Sequence, residues 1–554
     1  MLRTKKLTIL AFIAVMVGLI SLGGGTARAG GPWYVSLLGN DGNDCLSAGT
    51  ACLTINGAIG KASPSDTIKV AAGIYDEQVV INKSLTLQGA GSKTIIKPSS
   101  AAKLTTVLSG VYGGGTIQVA AIVVANVADG TPVTLKKLKV DGENITAQPT
   151  GANYVAGIFY GETGGTVDTV SVVNMTVGVT GDAVRGYGFY LSAVTNTVSV
   201  EIEKSDISKY DKNGINAHGD HLTANIHHNV LIGRGPLPVG DEVQNGVLIT
   251  DGAVGTINAN LIKNMAYISE EWWSTGILFV GGDGTAKGNV ITDCQIGVLY
   301  QDGDGVAEDN IVSGGSVGRV GLWAQYTVLG SWEVTFEGNK VTGIDDSNPT
   351  TGLVSHYDTG AIGAQSWNAG VSLALSIEDN WLMGNGTTKA DGIYIGDILA
   401  YGPAGSITST ITGNTISKWE NGIHLVSSVA AGSTITGNTI TNNVGDGSGI
   451  HIEAAVDATQ VEVHFNNIDG NETYGIYNGN AGLLDAEKNW WGSPKGPSLD
   501  STVCRGDKVS DNVDFTPWLT RPYQYRHIGP PKPWWPKPHP RWPHHPHHHG
   551  PWLH

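Results

Sequence analysis

Aromatic and imidazole side chains recur at one position of the chain, two residues after a glycine that an apolar residue follows. In the C-terminal half, the residues at this position are Trp323, Tyr394, His424, His451 and Tyr477. Aromatic rings suit stacking against sugar rings. We therefore predict a groove that binds polysaccharide through the two tyrosines and the tryptophan. A hydrophobic cluster covered by long loops is the alternative.

Acid–base chemistry in this groove would fall to the two histidines and to Glu453, which stands two residues beyond His451. Imidazole and carboxylate groups donate and accept protons in catalysis. His424 and His451 are predicted to lie one strand spacing apart, about 5 Å, which is close enough for them to cooperate. We predict His424, His451 and Glu453 as the catalytic residues if the protein is an enzyme.

Aspartates at predicted tight turns form a second candidate site, next to His221 of the run His218-Gly219-Asp220-His221. They are Asp251, Asp283, Asp302 and Asp304. A row of carboxylates is the ligand type that Ca²⁺ prefers. The alternative is structural, because Asp-Gly recurs at tight turns for backbone reasons alone.

The C-terminal segment from Arg521 onward has a different composition, with 8 of the 16 His, 10 of the 22 Pro and no acidic residue. Its closely spaced imidazoles predict a site for Zn²⁺, Cu²⁺ or Ni²⁺. The metal ligands would be His544, His545, His547, His548 and His549. Tryptophans interleaved with Lys and Arg favour instead attachment to an anionic cell surface, to the acidic body of the protein or to another subunit. A plain flexible arm is the third interpretation.

The elements that position these residues follow from a repeat. Glycine anchors recur at irregular intervals of 21 to 39 residues, as in a solenoid with variable loops. They are Gly157, Gly188, Gly214, Gly246, Gly276, Gly297, Gly321, Gly360, Gly392, Gly422, Gly449 and Gly475. The apolar residue after each anchor should point into the core, and the next residue should point outward.

An asparagine column supports this register, because asparagine accepts corner conformations and can stack in hydrogen-bonded ladders. Its members are Asn229, Asn260, Asn289, Asn310, Asn339, Asn380, Asn414, Asn438, Asn466 and Asn489. The pattern predicts stacked coils of short parallel strands that bury a continuous core.

The N-terminus has the features of a secretory signal peptide: basic residues, an apolar run over residues 7–22 and then Ala27-Arg28-Ala29. No other run reaches the roughly 20 apolar residues of a spanning helix. We therefore expect a secreted protein, extracellular or periplasmic. The formal net charge is −16, which disfavours nucleic acid as a partner.

Both ends of the predicted solenoid contain capping features. Thr54 to Ala62 is predicted as a short helix, and Cys45 and Cys52 are predicted to form a disulfide in an oxidising compartment. Cys294 and Cys504 are about six coils apart in this register, too far to pair, so both should remain thiols. Trp490 and Trp491 could cover the last coil.

These two stretches, residues 33–91 and the sequence KNWWGSPKGPS at 488–498, resemble the right-handed β-helix proteins of the pectin-lyase-like superfamily. The resemblance extends to periplasmic copper-maturation and surface-protein branches. It implies the fold, but not one activity, since the fold hosts lyases, hydrolases, epimerases, esterases, adhesins and spacers. The polygalacturonase-like motifs are absent apart from a lone Asp345-Asp346, and the epimerase-like Asp-Pro-His is also missing.

We therefore predict an all-β, right-handed parallel β-helix with an N-terminal cap and a disordered C-terminal tail. The predicted boundaries are 1–29 for the signal peptide, 30–110 for the cap and first coils, 111–497 for the β-helix, 498–520 for the C-terminal cap and 521–554 for the tail. The expected function is to engage polysaccharide or a cell-surface glycan as a binding or surface-structural module. A polysaccharide lyase or glycoside hydrolase is the first alternative, and a periplasmic copper- or zinc-handling protein is the second. Oligomeric state is left open.

Overall fold

The structure is a computed structural model, and it describes most of the chain beyond the predicted signal peptide. The described residues are 31–112, 115–177, 185–238, 240–268, 273–345, 359–387, 389–396, 405–445, 447–499 and 505–525. The predicted signal peptide, Asp346, Cys504 and the five predicted metal-binding histidines of the tail lie outside these ranges.

Short parallel strands wind into a parallel β-helix. The wide sheet receives two strands from most coils, and in the described ranges it has 29 strands. They are Trp33–Val35, Asp66–Val70, Gly73–Tyr75, Leu85–Gln88, Thr94–Ile96, Val133–Asp141, Gly165–Met175, Val198–Glu203, Asp206–Tyr210, Leu222–His227, Val230–Ile232, Val254–Asn258, Leu261–Lys263, Asp283–Lys287, Val290–Thr292, Gly305–Glu308, Ile311–Ser313, Gly330–Glu337, Lys340–Thr342, Val371–Glu378, Trp381–Met383, Ser406–Thr412, Thr415–Ser417, Ser433–Thr436, Thr439–Thr441, Val461–His464, Asn467–Asp469, Leu484–Asp485 and Val513–Asp514.

The narrow sheet receives one strand from most coils and carries the glycine anchors. Its 15 described strands are Val79–Ile81, Thr106–Tyr112, Gly115–Asn126, Tyr154–Gly161, Arg185–Ser192, Asn213–His218, Asn245–Thr250, Thr275–Val280, Ile296–Gln301, Val320–Tyr326, Gly360–Ser366, Asp391–Ile395, Ile423–Leu425, Ser448–Ile452 and Tyr474–Asn478. Helical turns in the described part are an α-helix at Ile55–Lys61 and 3₁₀ turns at Ala48–Thr50, Ala101–Lys103 and Ala458–Gln460.

The predicted inward column is confirmed at all but one coil of the narrow sheet. Its members pair with one another and are buried, as for Ile393, Ile423, Ile450 and Ile476. Period-two alternation then turns the next side chain outward. The narrow sheet therefore presents one outward residue per coil in a straight row.

The glycine anchor at Gly360 is wrong by one residue. Leu322 pairs with Ile362 and Trp323 pairs with Gly363, so Ile362 enters the core and Gly363 takes the outward position. A Cβ atom on Gly363 would lie 2.3 Å from the ring of Tyr394. The outward position is glycine because the Tyr394 ring lies over it.

The predicted asparagine ladder is confirmed along its whole length. Asn380 shows the pattern, because its backbone N–H and its side-chain amide both donate to Oδ1 of Asn414, at 2.9 and 3.0 Å. Asn339 donates to Oδ1 of Asn380 in the same way, at 2.9 and 3.0 Å. The ladder is buried, so it satisfies the backbone groups at the corner between the two rows of the wide sheet.

The two ends of the solenoid are closed by different devices. At the N-terminal end the helix Ile55–Lys61 is capped by the Thr54 hydroxyl, which accepts a hydrogen bond from Gly57 N–H. Cys45 and Cys52 form a disulfide there. At the C-terminal end Trp491 is fully buried. Cys294 is a buried thiol in mid-solenoid.

Residues 521–525, which the sequence assigned to the tail, pack against the solenoid. The backbone N–H of Tyr523 donates to Asn467 Oδ1 at 2.7 Å, and the Asn467 amide donates back to the Tyr523 carbonyl at 2.9 Å. The prediction that order ends at residue 520 is wrong here, because asparagine satisfies the extended backbone as a paired strand would. Within the described ranges, none of the helices has the length and apolar character needed to cross a membrane.

Candidate functional site

The outward row of the narrow sheet brings the two predicted catalytic histidines into direct contact. His424 pairs with His451 in register, and His451 pairs with Tyr477. The ring centroids of the two histidines lie 4.9 Å apart, and those of His451 and Tyr477 lie 4.8 Å apart. One residue per coil at strand spacing therefore produces a stacked row of rings.

Glu453 completes the group by reaching back across the row. It follows the strand Ser448–Ile452, and its backbone N–H donates to the Leu425 carbonyl at 2.9 Å, which fixes the start of the turn. Its Oε1 lies 3.3 Å from His424 Nε2 and 3.5 Å from His451 Nε2. The sequence prediction of His424, His451 and Glu453 as one group agrees with this geometry, and we call the three the imidazole cluster.

Asp391 supports the cluster from the other side of the His424 ring. His424 Nδ1 lies 2.8 Å from Asp391 Oδ2. Asp391 Oδ1 accepts hydrogen bonds from the backbone N–H and the side-chain amide of Asn421, at 3.2 and 2.9 Å. The His424 ring is thus held at both nitrogens, while its side chain is only 12% exposed.

Electrostatics set different protonation states for the two imidazoles. Burial opposes a charge on His424, but the Asp391 and Glu453 carboxylates outweigh it and raise the pKa of His424 to about 10. Burial, and then the positive charge of His424, lower the pKa of His451. The hydrogen bond from His424 lowers the pKa of Glu453. At neutral pH the cluster therefore holds one imidazolium, one neutral imidazole and one carboxylate.

The same three residues have the spacing of a metal site. Their donor atoms all lie within 4.8 Å of one another, and they are the one such group of His, Cys, Asp or Glu in the described ranges. Zinc binds nitrogen and oxygen ligands at about 2.0–2.2 Å, so neighbouring ligands of a tetrahedral ion stand about 3.3–3.5 Å apart. The two distances to Glu453 Oε1 fall in that range.

Two family models match overlapping parts of the chain. One, described as right handed beta helix region, matches residues 156–341. The chain is a right-handed parallel β-helix repeat protein. The predicted fold is thereby confirmed. The second model, described as periplasmic copper-binding protein (NosD), matches residues 324–512 of this β-helix protein, a segment that contains the imidazole cluster.

Solved structures similar to this β-helix protein have low sequence identity. The Azotobacter vinelandii mannuronan C-5 epimerase AlgE4 A-module is 16% identical, with a TM-score of 0.34 over 74% of this chain and 87% of that chain. The bacteriophage Phi29 gene product 12 N-terminal fragment is 12% identical, with a TM-score of 0.46 over 77% and 65%. The catalytic domain of a GH87 alpha-1,3-glucanase in complex with nigerose is 13% identical, with a TM-score of 0.36 over 82% and 70%. A search of the curated proteins found no match.

Two of the three predicted sugar-binding residues of the β-helix protein are buried, contrary to prediction. Trp323 is 6% exposed and packs on Trp273 with ring centroids 5.8 Å apart, in a cluster with Leu299. Tyr394 is fully buried. The alternative of a hydrophobic cluster is right for Trp323, because a side chain from outside the strands covers the ring. Tyr477 remains half-buried and lies beside the imidazole cluster.

The aspartates predicted to bind Ca²⁺ bond to turns of neighbouring coils in the β-helix protein. Asp302 accepts hydrogen bonds from the backbone N–H of Thr327 and of Val328, at 2.7 and 2.9 Å. Asp283 accepts one from Asp304 N–H at 2.9 Å. Asp251 lies 3.5 Å from His218 Nε2. These contacts fit the structural alternative, and Ca²⁺ binding stays a prediction.

Asp391 is the site residue that sequence reasoning missed. It stands immediately before Gly392, in the position that Asn213, Asn245 and Asn421 occupy before their own glycines. The column is polar only in parts, with side-chain hydrogen bonds from Asn245 to Asn213 and from Asn421 to Asp391. A carboxylate replacing an amide one coil before a histidine is the signal that could have identified it.

Proposed function

We propose that this exported β-helix protein binds Cu²⁺ or Zn²⁺ at His424, His451 and Glu453. The observation that carries the proposal is the convergence of these three donors within 4.8 Å of one another, with both imidazoles at ligand-to-ligand distance from Glu453 and with Asp391 on the far nitrogen of His424. A carboxylate at that nitrogen orients a metal-binding imidazole and raises its basicity. The match of residues 324–512 to the family described as periplasmic copper-binding supports the choice of metal.

The donor set favours late first-row ions. Imidazole nitrogen with one carboxylate suits Zn²⁺ and Cu²⁺, and affinity at such a site rises to Cu²⁺ in the divalent series. Three protein ligands leave a fourth position open, as in catalytic sites rather than closed structural ones. In this protein the row beside His451 continues to Tyr477. A site of this kind would exchange its ion or present it to a second molecule.

Proton competition gives the proposal a pH signature. The raised pKa of His424 means that its Nε2 carries a proton at neutral pH, which the metal ion must displace. His451 adds no proton above neutral pH, because its pKa is lowered. Metal affinity should therefore rise by about tenfold for each pH unit between pH 7 and 9, with release of about one proton per ion.

Calorimetric titration with Cu²⁺ and Zn²⁺ in buffers of different ionisation enthalpy measures both quantities. The protein should carry alanine at His544, His545, His547, His548 and His549, so that the tail does not contribute ions. One ion per chain with the stated slope is expected. Affinity that does not change with pH, or no binding of one ion per chain, would contradict the proposal.

Polysaccharide binding is a second candidate function, and Tyr477 is the observation that favours it. Its half-buried ring lies beside His451 and 5.4 Å from the ring of Tyr474. Lys508 Nζ lies 4.6 Å from the centre of the Tyr474 ring, so an apolar face and a cation stand together. That combination suits an acidic sugar.

Tyr477→Ala should then weaken retention on acidic polysaccharides by about tenfold, because one aromatic contact is lost. The matched control is Tyr34→Ala, since Tyr34 also lies near a lysine, 5.9 Å from Lys69 Nζ, at the opposite end of the solenoid. Affinity electrophoresis with acidic and neutral polysaccharides measures retention, and chromatography of the products tests for cleavage. Equal retention of both variants and the unaltered protein would end this candidate.

A further inference from the structure

The chain turns back on itself after the last coil. Leu519 N–H donates to the Asn489 carbonyl at 3.0 Å, and Tyr523 exchanges two hydrogen bonds with Asn467, one coil earlier. The ring of Tyr523 lies 5.2 Å from that of Phe465. The segment from 519 to 523 therefore crosses the coils along the corner of the wide sheet, towards the N-terminal end.

Tyr525 continues in the same direction by two more coils. A Cβ atom on Gly437 or on Gly413 would lie 2.5 Å from its ring, so both corner glycines are covered by this side chain. Burial, and then the carboxylates of Asp379 and Glu378, raise the pKa of Tyr525. The described chain thus ends beside an acidic part of the corner.

The corner ahead of Tyr525 has an apolar row flanked by acids. The row of paired, half-buried outward side chains starts at Trp381 and, after Lys340, continues through Ile311, Val290, Leu261 and Val230. On its other side Glu308, Glu337 and Glu378 pair in register, and Asp309 and Asp379 follow two of them. We call this surface the acidic corner.

Two lysines also face the acidic corner. Lys287 Nζ lies 2.9 Å from Glu308 Oε2, and Lys340 Nζ lies over the Trp381 ring at 4.5 Å. Five carboxylates against two ammonium groups leave a negative surface. The stacked Lys340 and Trp381 show that this row already accepts a cation against an aromatic ring.

We propose that residues 526–554 bind along the acidic corner of their own solenoid. The segment contains Arg526, Lys532, Lys537, Arg541 and no acid, with Trp534, Trp535 and Trp542 between them. Its charges complement the carboxylates, and its indole rings complement the apolar row. Proline-rich chain favours an extended form that rises about 3.1 Å per residue, so the first ten residues would span about 31 Å. That length covers the row from Trp381 to Val230, one residue per coil at about 4.8 Å each.

The binding would be intramolecular because the anchor is already in place. Tyr523 and Tyr525 hold the start of the segment at the entrance of the acidic corner, which gives it a high local concentration there. The imidazole cluster lies on the narrow sheet and the acidic corner lies on the wide sheet. The binding of residues 526–554 to the acidic corner therefore does not depend on the proposed metal function.

Zero-length carbodiimide cross-linking of the full chain tests the proposal. Lys532 lies seven residues after Tyr525, about 22 Å in the extended form, so it should couple to Glu308 or Glu337 within one chain, as read by mass spectrometry of the monomer band. Cross-links spread over acids elsewhere on the solenoid, no cross-link from Lys532, or cross-links that appear only in a dimer band would each overturn it. The last result would show that residues 526–554 bind to a second copy of the chain.

Proteolysis supplies a test that does not depend on cross-linking chemistry. Trypsin cleavage after Arg526 should be slow in the unaltered protein and at least about threefold faster in 0.5 M NaCl, because salt screens the ion pairs. Lys532→Glu with Lys537→Glu should give the same acceleration without touching the solenoid. Glu337→Lys with Glu378→Lys should also do so, whereas Asp511→Lys, an exposed acid near the end of the described chain, should not. Equal rates in all these proteins would overturn the proposal.

Discussion

Replacing His451 by asparagine should lower the affinity for Cu²⁺ by at least about a hundredfold, measured in the variant without tail histidines. His451 supplies one of three donors, and the loss of an imidazole ligand leaves a site with too few strong donors to hold the ion. The fold should survive, because His451 contacts the Glu453 carboxylate, at 3.5 Å, and the rings of His424 and Tyr477 in the outward row. Competition titration with a coloured chelator measures the change.

His464→Asn is the matched control for this prediction. His464 also bonds to a carboxylate, with Nε2 2.7 Å from Asp485 Oδ1, but it belongs to the wide sheet and not to the imidazole cluster. Its replacement should leave Cu²⁺ affinity unchanged. Equal affinities of the two variants would remove His451 from the metal site.

Asp391→Asn tests whether Asp391 acts on His424 or only supports the fold, because only the first role changes the pH dependence of metal affinity. Without the Asp391 charge, burial should bring the pKa of His424 down from about 10, so less proton must be displaced near neutral pH. The affinity should therefore change little between pH 8 and 9, while the limiting affinity at high pH falls by about 10- to 100-fold. An unchanged pH profile would contradict the role assigned to Asp391.

Replacing Asn380 by alanine should lower the free energy of unfolding by about 3–5 kcal/mol. The change removes the Oδ1 that accepts from Asn339 and the amide that donates to the Phe336 carbonyl at 2.8 Å. Each buried polar group left without a partner costs about 1–3 kcal/mol. Thermal unfolding followed by circular dichroism measures the loss as a lower Tm.

Asn225→Ala is the control for the ladder. Asn225 also lies on the wide sheet, but it is partly exposed and donates one hydrogen bond, to Ser199 Oγ at 3.1 Å. Substitutions at such surface positions change stability by about 0.5 kcal/mol or less. Similar Tm values for the two variants would show that the ladder contributes little to stability.

The repeated part of the fold could be predicted because each coil contains the residues that set its register. A glycine, an inward apolar residue and a corner asparagine recur together, so the alignment of coils follows from short-range pattern. The single misplaced anchor, Gly360, is instructive. Leu322 pairs with Ile362, so Ala361 takes the anchor position of this coil. A pattern that searches for glycine selects Gly360 instead.

The surface of the coils could not be predicted in the same way. Whether Trp323 is exposed depends on Trp273, which arrives from a loop about fifty residues away in the chain. Strand alternation fixes the direction of a side chain, but it does not say what covers it. The imidazole cluster was predictable because it needs no covering loop, since its members follow from strand register alone.

The ladder of asparagines also bears on how such a chain can change over generations. Consecutive members are separated by as few as 21 and as many as 41 residues, so insertions and deletions between them are absorbed as loops. An exchange at these positions should destabilise the fold, because each asparagine bonds to the coil on both sides. A change in loop length therefore costs little stability, whereas a substitution of the ladder asparagine costs much. Loops beside the imidazole cluster can thus become longer without moving it.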